Sequence, residues 1–329
     1  MRGKVHICAA LLILIALTGS ALLTHTTNSS NGKPVVVTTT SVLASIVRDL
    51  AGNEVIVEVI ASPSICPAHY GVKPSDVYKL KGADLILRQG FEPWLEDLVK
   101  ASGSKAPIVT IKGPWNTPEL LKGKYVAVAN ALEKYLGINV SAKLRKCLKA
   151  IDDTSTWLKE YAKEKGFVGT PVVVMQWQKA YVSFLGFKVV ATYPPPEKVT
   201  PSLYEEIIKN ATEGKALLVI DNLQSGTELG KKIAEEIGGV EVALTNFPGT
   251  APGLNNMTEV MKHNAELLAQ ALYFAKLKKS PTELGKLYRE VSNYEHEAKL
   301  WESAFIASAV LNAVLIASVA VLAAKLRRR

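Results

Sequence analysis

Sulfur and imidazole are scarce in this chain. Three cysteines and five histidines among 329 residues exclude a disulfide-built scaffold and an array of zinc fingers, both of which need repeated ligand pairs at short spacing. Catalytic signatures are missing too. There is no Gly-x-Ser-x-Gly elbow, no His-Glu-x-x-His helix, no persuasive carboxylate pair and no Gly-x-x-x-x-Gly-Lys-Ser/Thr phosphate loop, so the chain reads as neither a hydrolase nor an ATPase, and not as an enzyme. Basic residues are in excess, with a net charge of +9. They are dispersed, partly terminal, and accompanied by no aromatic RNA-binding motif, which argues against a nucleic-acid partner.

What is present is apolar and periodic. Hydrophobic residues make up 48% of the chain, enough for two domains of ordinary size. The two ends carry the longest apolar runs. Met1-Arg2-Gly3-Lys4 followed by apolar residues has the form of an export signal or anchor over 1–23, with a polar tether over 24–33. Residues 304–324 carry no charge and, at about 1.5 Å per residue, are long enough to cross a hydrocarbon core of about 30 Å. The basic tail 325–329 follows directly, and the positive-inside rule keeps it cytoplasmic. The expectation is a single-pass C-terminal anchor in the cell membrane with the body extracellular; sequons at Asn28, Asn139, Asn210 and Asn256 suit export where glycosylation occurs.

Between the ends, strand and helix patterns alternate, which implies mostly parallel sheets. Strands are predicted at 35–40, 54–60, 84–88 and 107–111, then at 171–175, 188–193, 216–220 and 240–244. Ser41 and Ser75 are expected to cap helices. The helix over 118–135 is expected to turn Leu120, Tyr125, Val128, Leu132 and Tyr135 inward, and Phe91, Trp94 and Leu95 to cover the sheet. The fold class is therefore α/β: an N-terminal lobe over 34–139 and a C-terminal lobe over 167–278, each with a four-stranded sheet flanked by helices. A long amphipathic helix over 140–166 separates them, and a charged helical linker over 279–303 leads to the membrane. Cys147 falls on the apolar face of the long helix, as a packed thiol would. A single Cys66–Cys147 disulfide is also open.

The loop Cys66-Pro67-Ala68-His69-Tyr70-Gly71-Val72-Lys73-Pro74-Ser75-Asp76 follows the second strand, at the carboxyl end of a sheet where open α/β folds place ligands. Its prolines stiffen it. With Lys81-Gly82-Ala83-Asp84-Leu85-Ile86-Leu87 and Phe91-Glu92-Pro93-Trp94-Leu95, this loop resembles the metal-binding substrate-binding proteins of ABC importers, the zinc and manganese cluster. The resemblance spans about 34–277 and includes Met261, Asn264 and Leu267-Leu268 near its end.

The resemblance implies a receptor that captures a metal ion between its lobes and delivers it to an ABC permease driven by a cytoplasmic ATPase. It also implies that the 140–166 helix joins the lobes rigidly. Such proteins meet their ion with three histidines and one acid. Here His69 matches the first, while Gly113 stands where the second is expected, Met175-Gln176-Trp177-Gln178 where the third is, and Thr245-Asn246-Phe247 where the acid is. The remaining histidines, His6, His25, His263 and His296, fall elsewhere. The candidate metal ligands are His69, Cys66 and Met175. Zinc or manganese follows from the resemblance, and copper from a thiolate, imidazole and thioether together. Tyr70, Trp115, Gln176, Trp177 and Phe247 are expected to line the cleft, with Asp221 and Gln224 facing it. Two alternatives stay open: an organic or chelated-metal ligand in that cleft, and a surface binding or adhesion protein on the same scaffold.

Overall fold

Val35-Val36-Val37, Leu85-Ile86-Leu87, Val172-Val173-Val174 and Leu218-Val219-Ile220 are apolar on both strand faces, the pattern of strands covered by helices on both sides. In the computed structural model they form the centres of two sheets. The structure describes residues 32–280 and, beyond them, 282, 285, 286, 289, 291–294 and 297–302. The export signal, nearly all of the tether, the 304–324 segment and the basic tail lie outside the described residues. Among the described residues, no helix is long and apolar enough to cross a membrane.

The first sheet is built from β1 (Val35–Thr38), β2 (Ile56–Val59), β3 (Leu85–Arg88) and β4 (Ile108–Thr110), in the order β2-β1-β3-β4 and parallel throughout. The second repeats that order with β5 (Pro171–Met175), β6 (Lys188–Tyr193), β7 (Leu218–Asn222) and β8 (Val240–Leu244), as β6-β5-β7-β8. In each sheet the chain reverses direction across the first strand, so the carboxyl ends of β1/β3 and β5/β7 are switch points where a crevice opens.

Helices α1 (Ser41–Ala51), α2 (Pro74–Lys81), α3 (Leu95–Ser102) and α4 (Pro118–Leu136) serve the first sheet. Helix α5 (Ser141–Glu164) comes between the sheets in sequence, and α6 (Lys179–Phe184), α7 (Pro201–Glu213), α8 (Glu228–Glu236) and α9 (Met257–Lys278) serve the second. One continuous core crosses both lobes, because α5 packs on α1 and α4 on one side and on α9 on the other. Ile151, Leu158 and Ala162 of α5 are buried there. The outer sheet faces carry smaller clusters: Ile60, Tyr70, Leu80 and Leu95 in the first lobe, and Met175, Tyr193, Ile207 and Ile233 in the second.

Several local expectations are corrected. Thr40, not Ser41, caps α1, its hydroxyl accepting from Leu43 N–H at 3.5 Å. Helix α2 starts at Pro74 instead of after Ser75, because the Asp76 carboxylate reaches back to Lys73 N–H at 2.9 Å. On α4 the inward stripe runs Leu121, Tyr125, Val128, Leu132, while Leu120 and Tyr135 are exposed. That stripe steps by four, three and four residues and follows the helix more closely than the expected set. Cys66 and Cys147 are free thiols. Burial pushes the Cys147 thiol up to about 11, and it packs against the interlobe core.

Candidate functional site

Loops at the carboxyl ends of both sheets face one another and enclose a cavity of about 900 Å³. The first lobe contributes Cys66, Pro67 and Ala68 after β2, Phe91 after β3, and Gly113 to Asn116 after β4. From the second come Gln176 and Trp177 after β5, Lys179 and Ser183 of α6, Asn222, Gln224 and Ser225 around the end of β7, and Asn246 and Phe247 after β8. The size falls in the range of pockets that bury a small organic molecule.

The first-lobe wall is anchored by a carboxylate. Glu92 is 3% exposed and accepts hydrogen bonds from Gln89 N–H at 2.9 Å, Gly90 N–H at 2.7 Å, Phe91 N–H at 2.9 Å and the Thr39 hydroxyl at 2.5 Å. Gly90 permits the turn with φ +99°. Phe91 is thereby swung off the sheet, contrary to expectation, and stacks on Trp115 with centroids 6.1 Å apart and an 18° interplanar angle. Trp115 in turn meets Phe247 of the opposite lobe at 5.5 Å, so three aromatic rings span the gap. Trp94 stays beneath the loop, its ring tilted 56° to that of Tyr70 with centroids 5.4 Å apart, and it donates to Pro67 C=O at 2.7 Å.

Hydrogen bonds tie the lobes at the cavity wall. Trp115 Nε1–H donates to Asn246 C=O at 2.8 Å, Asn116 Nδ2–H to Trp177 C=O at 2.8 Å, and Gln224 Nε2–H to Pro63 C=O at 3.0 Å. Among the described residues, the side-chain oxygens of Asn116 and Asn246 meet no hydrogen-bond partner, although both residues are more than nine-tenths buried.

The expected site residues divide into two groups. Cys66, Trp115, Gln176, Trp177, Gln224 and Phe247 line the cavity. Gln224 has little capacity left for a ligand, because it binds Pro63, Asn222, Thr245 and Asn246 N–H. His69, Met175, Tyr70 and Asp221 are placed elsewhere. A single turn over Pro67–His69 buries Pro67 and leaves the His69 side chain 66% exposed, its Nε2 3.9 Å from Glu197 Oε1 of the second lobe. His69 thus marks an interlobe rim contact outside the cavity wall. Met175 is buried beneath the outer helices and its sulfur accepts from Trp177 N–H at 3.3 Å. Tyr70 donates its hydroxyl to Asp76 at 3.0 Å. Burial first, and then that carboxylate, push its phenol up to about 12.

Asp221 faces the opposite side of β7 from the cavity. Its neighbour Asn222 lines the wall, since successive strand residues point to opposite faces. Asp221 Oδ1 accepts the Tyr193 hydroxyl, and the Glu241 carboxyl lies within hydrogen-bonding reach of Asp221. Burial above all, aided by Glu241 and opposed by Tyr193, pushes its carboxyl up to about 7. A raised carboxylate pKa means that the folded state holds a proton that the unfolded state releases near pH 4. This contribution to stability is complete below about pH 4 and is lost as pH rises through about 7. Asp221→Asn, which keeps an acceptor for Tyr193, should therefore gain on the parent in thermal unfolding between pH 5 and pH 8, by on the order of 2 kcal/mol. A constant difference across that window would contradict the assignment.

Of the four segments where the resemblance expects metal ligands, the three without histidine or acid reach the cavity, through Gly113, through Gln176 with Trp177, and through Asn246 with Phe247, while the fourth carries His69 at the rim. Gly113 has φ +90°, a conformation that a histidine would enter only under strain. Among the described residues, no three His, Cys, Asp or Glu side chains cluster as a metal site.

Two α/β lobes closing on one cavity define a cleft-type solute receptor. The chain belongs to the family described as ZnuA, zinc-uptake complex component A, periplasmic, whose profile matches residues 36–271; these proteins bind solutes and are not enzymes. Zinc-binding protein TroA of Treponema pallidum is 39% identical over 89 residues, covering 26% of this chain and 28% of TroA. Iron-binding protein YfeA of Yersinia pestis is 31% identical over 128 residues, covering 37% and 41%. The chain thus matches roughly a third of the length of these curated relatives. Among solved structures, periplasmic TroA of T. pallidum superposes with a TM-score of 0.63 at 18% identity, covering 73% of this chain and 99% of that one. A Mn-bound periplasmic metal-binding protein of Candidatus Liberibacter asiaticus gives 0.63 at 17%, covering 73% and 100%.

Proposed function

We propose that this chain is the extracytoplasmic receptor of an ABC importer and that it captures a metal-bearing solute in the interlobe cavity. It is held at the cell membrane by the 304–324 segment and hands its cargo to a permease powered by a cytoplasmic ATPase. The observation that carries this reading is the convergence of six loops from two like sheets on one cavity, in a chain of the metal-receptor family. The cargo metal is of the zinc, manganese or copper class. Helix α5, packed on both lobes, favours a small tilt on closure over a wide hinge.

The test is native mass spectrometry with elemental analysis on protein purified without chelators, beside an Ala180→Trp variant. Ala180 lines the cavity and is exposed, so the added indole obstructs the space without entering the core. The parent should retain a stoichiometric, metal-bearing solute and the variant should lose most of it. Equal retention would refute cavity capture. Absence of any retained or added solute would favour the reading in which the scaffold serves as a surface binding or adhesion protein.

A further inference from the structure

We infer that the cargo is a planar organic anion wrapped around a metal ion whose coordination the organic part supplies. This rests on the reading of the cavity as the cargo site and names the chemical class that fits it. A bare divalent cation needs three or four nitrogen, sulfur or oxygen ligands, carboxylates or imidazoles foremost. The wall offers no carboxylate and no imidazole, and its one basic side chain, Lys179, would repel such an ion. Lys179 makes no ion pair with any described carboxylate, so it is available to an anionic group.

The other features select the rest of the molecule. Phe91, Trp115 and Phe247 form one aromatic surface, and Trp177, 49% exposed, presents another indole at the wall. Such surfaces hold a flat π-system by stacking. The volume of about 900 Å³ exceeds by far the roughly 30 Å³ share of a water-sized species.

Tryptophan fluorescence and calorimetric titration of the intact chain test this with pyridine-2,6-dicarboxylate, alone and preformed as its Zn(II) complex, and with Zn(II) and Mn(II) alone. The Zn(II) complex should saturate a single site and bind more tightly than the free dicarboxylate; tighter binding of the metal-free form would overturn the inference. Trp177→Ala and Lys179→Glu, both at exposed positions, should each weaken that binding about tenfold, and Ala180→Trp should abolish it. Zn(II) or Mn(II) binding more tightly than either organic form, insensitive to Lys179→Glu but lost in Ala180→Trp, would overturn the inference and leave the receptor reading intact. Organic binding that survives Ala180→Trp would overturn both, whereas no saturable binding of any probe would overturn the inference alone.

Discussion

Glu92→Ala should unfold about 8–16 °C below the parent and should lose the Phe91–Trp115 stack. The carboxylate satisfies three consecutive backbone N–H groups and the Thr39 hydroxyl in a buried turn. Hydrogen bonds to a charged acceptor are worth about 1.5–3 kcal/mol each, and donors left buried without a partner add their own desolvation cost. Even with relaxation and water entry the loss should reach about 4 kcal/mol, which at about 2–4 °C per kcal/mol for domains of 150–250 residues is a large shift. Glu92→Gln keeps one acceptor and should fall between. Circular dichroism melts measure the stability, and near-ultraviolet ellipticity reports the aromatic stack. A loss below about 1 kcal/mol, the scale of a surface substitution, would show that the turn holds without its carboxylate.

Gly230→Ala should be nearly as damaging, for a steric reason. A Cβ built at Gly230 of α8 would lie 1.8 Å from Asp221 Oδ2 and 2.4 Å from its carboxyl carbon. Helix α8 therefore approaches β7 as closely as it does only because residue 230 lacks a side chain, a close-approach use of glycine. The carboxylate cannot swing away cheaply, since Tyr193 holds one oxygen and the outer core surrounds it. Overpacking of this kind costs about 1–3 kcal/mol and sometimes more. The double variant Gly230→Ala/Asp221→Ala should recover most of the loss caused by Gly230→Ala, because removing the carboxyl removes the clash. Denaturant melts of the two single variants and the double variant measure this coupling, and additive losses would contradict the packing argument.

These two sites show what could and could not be read from the chain. The strands were legible because Val35 to Val37, Val172 to Val174 and Leu218 to Ile220 are apolar runs bounded by turns. Their alternation with helices gave two parallel sheets. The direction of single side chains at strand ends was not legible. Asp221 and Asn222 are adjacent, and a one-residue difference in phase decides which meets the cavity. The same ambiguity made Met175 look available when Gln176 is the residue at the wall. His69 was misplaced for a different reason, because one turn of helix after Pro67 rotates the ring to the rim, and no periodic pattern marks so short an element. Phe91 reads from the sequence as a sheet-covering residue because its displacement depends on Glu92 gathering backbone donors, an effect of tertiary folding. Asn116 and Asn246 gave no signal, since a neutral amide in a loop has no distinctive spacing.

The family's metal chemistry and this chain's wall differ at residues that the fold still brings together. Gly113, Gln176 and Asn246 stand where imidazole and carboxylate are expected, and Gly113 has a backbone conformation suited to glycine. A receptor scaffold of this kind keeps its lobes, its cavity and its switch points while altering what the cavity recognises.

The most direct test is a crystal structure of the chain with the Zn(II) complex of pyridine-2,6-dicarboxylate, with anomalous data collected at the zinc edge. The anomalous peak should lie inside the interlobe cavity between Trp115 and Trp177, with the organic ligand supplying the zinc's coordinating atoms. A peak at the rim, on His69 Nε2 and Glu197, with the cavity free of the organic ligand, would contradict the account.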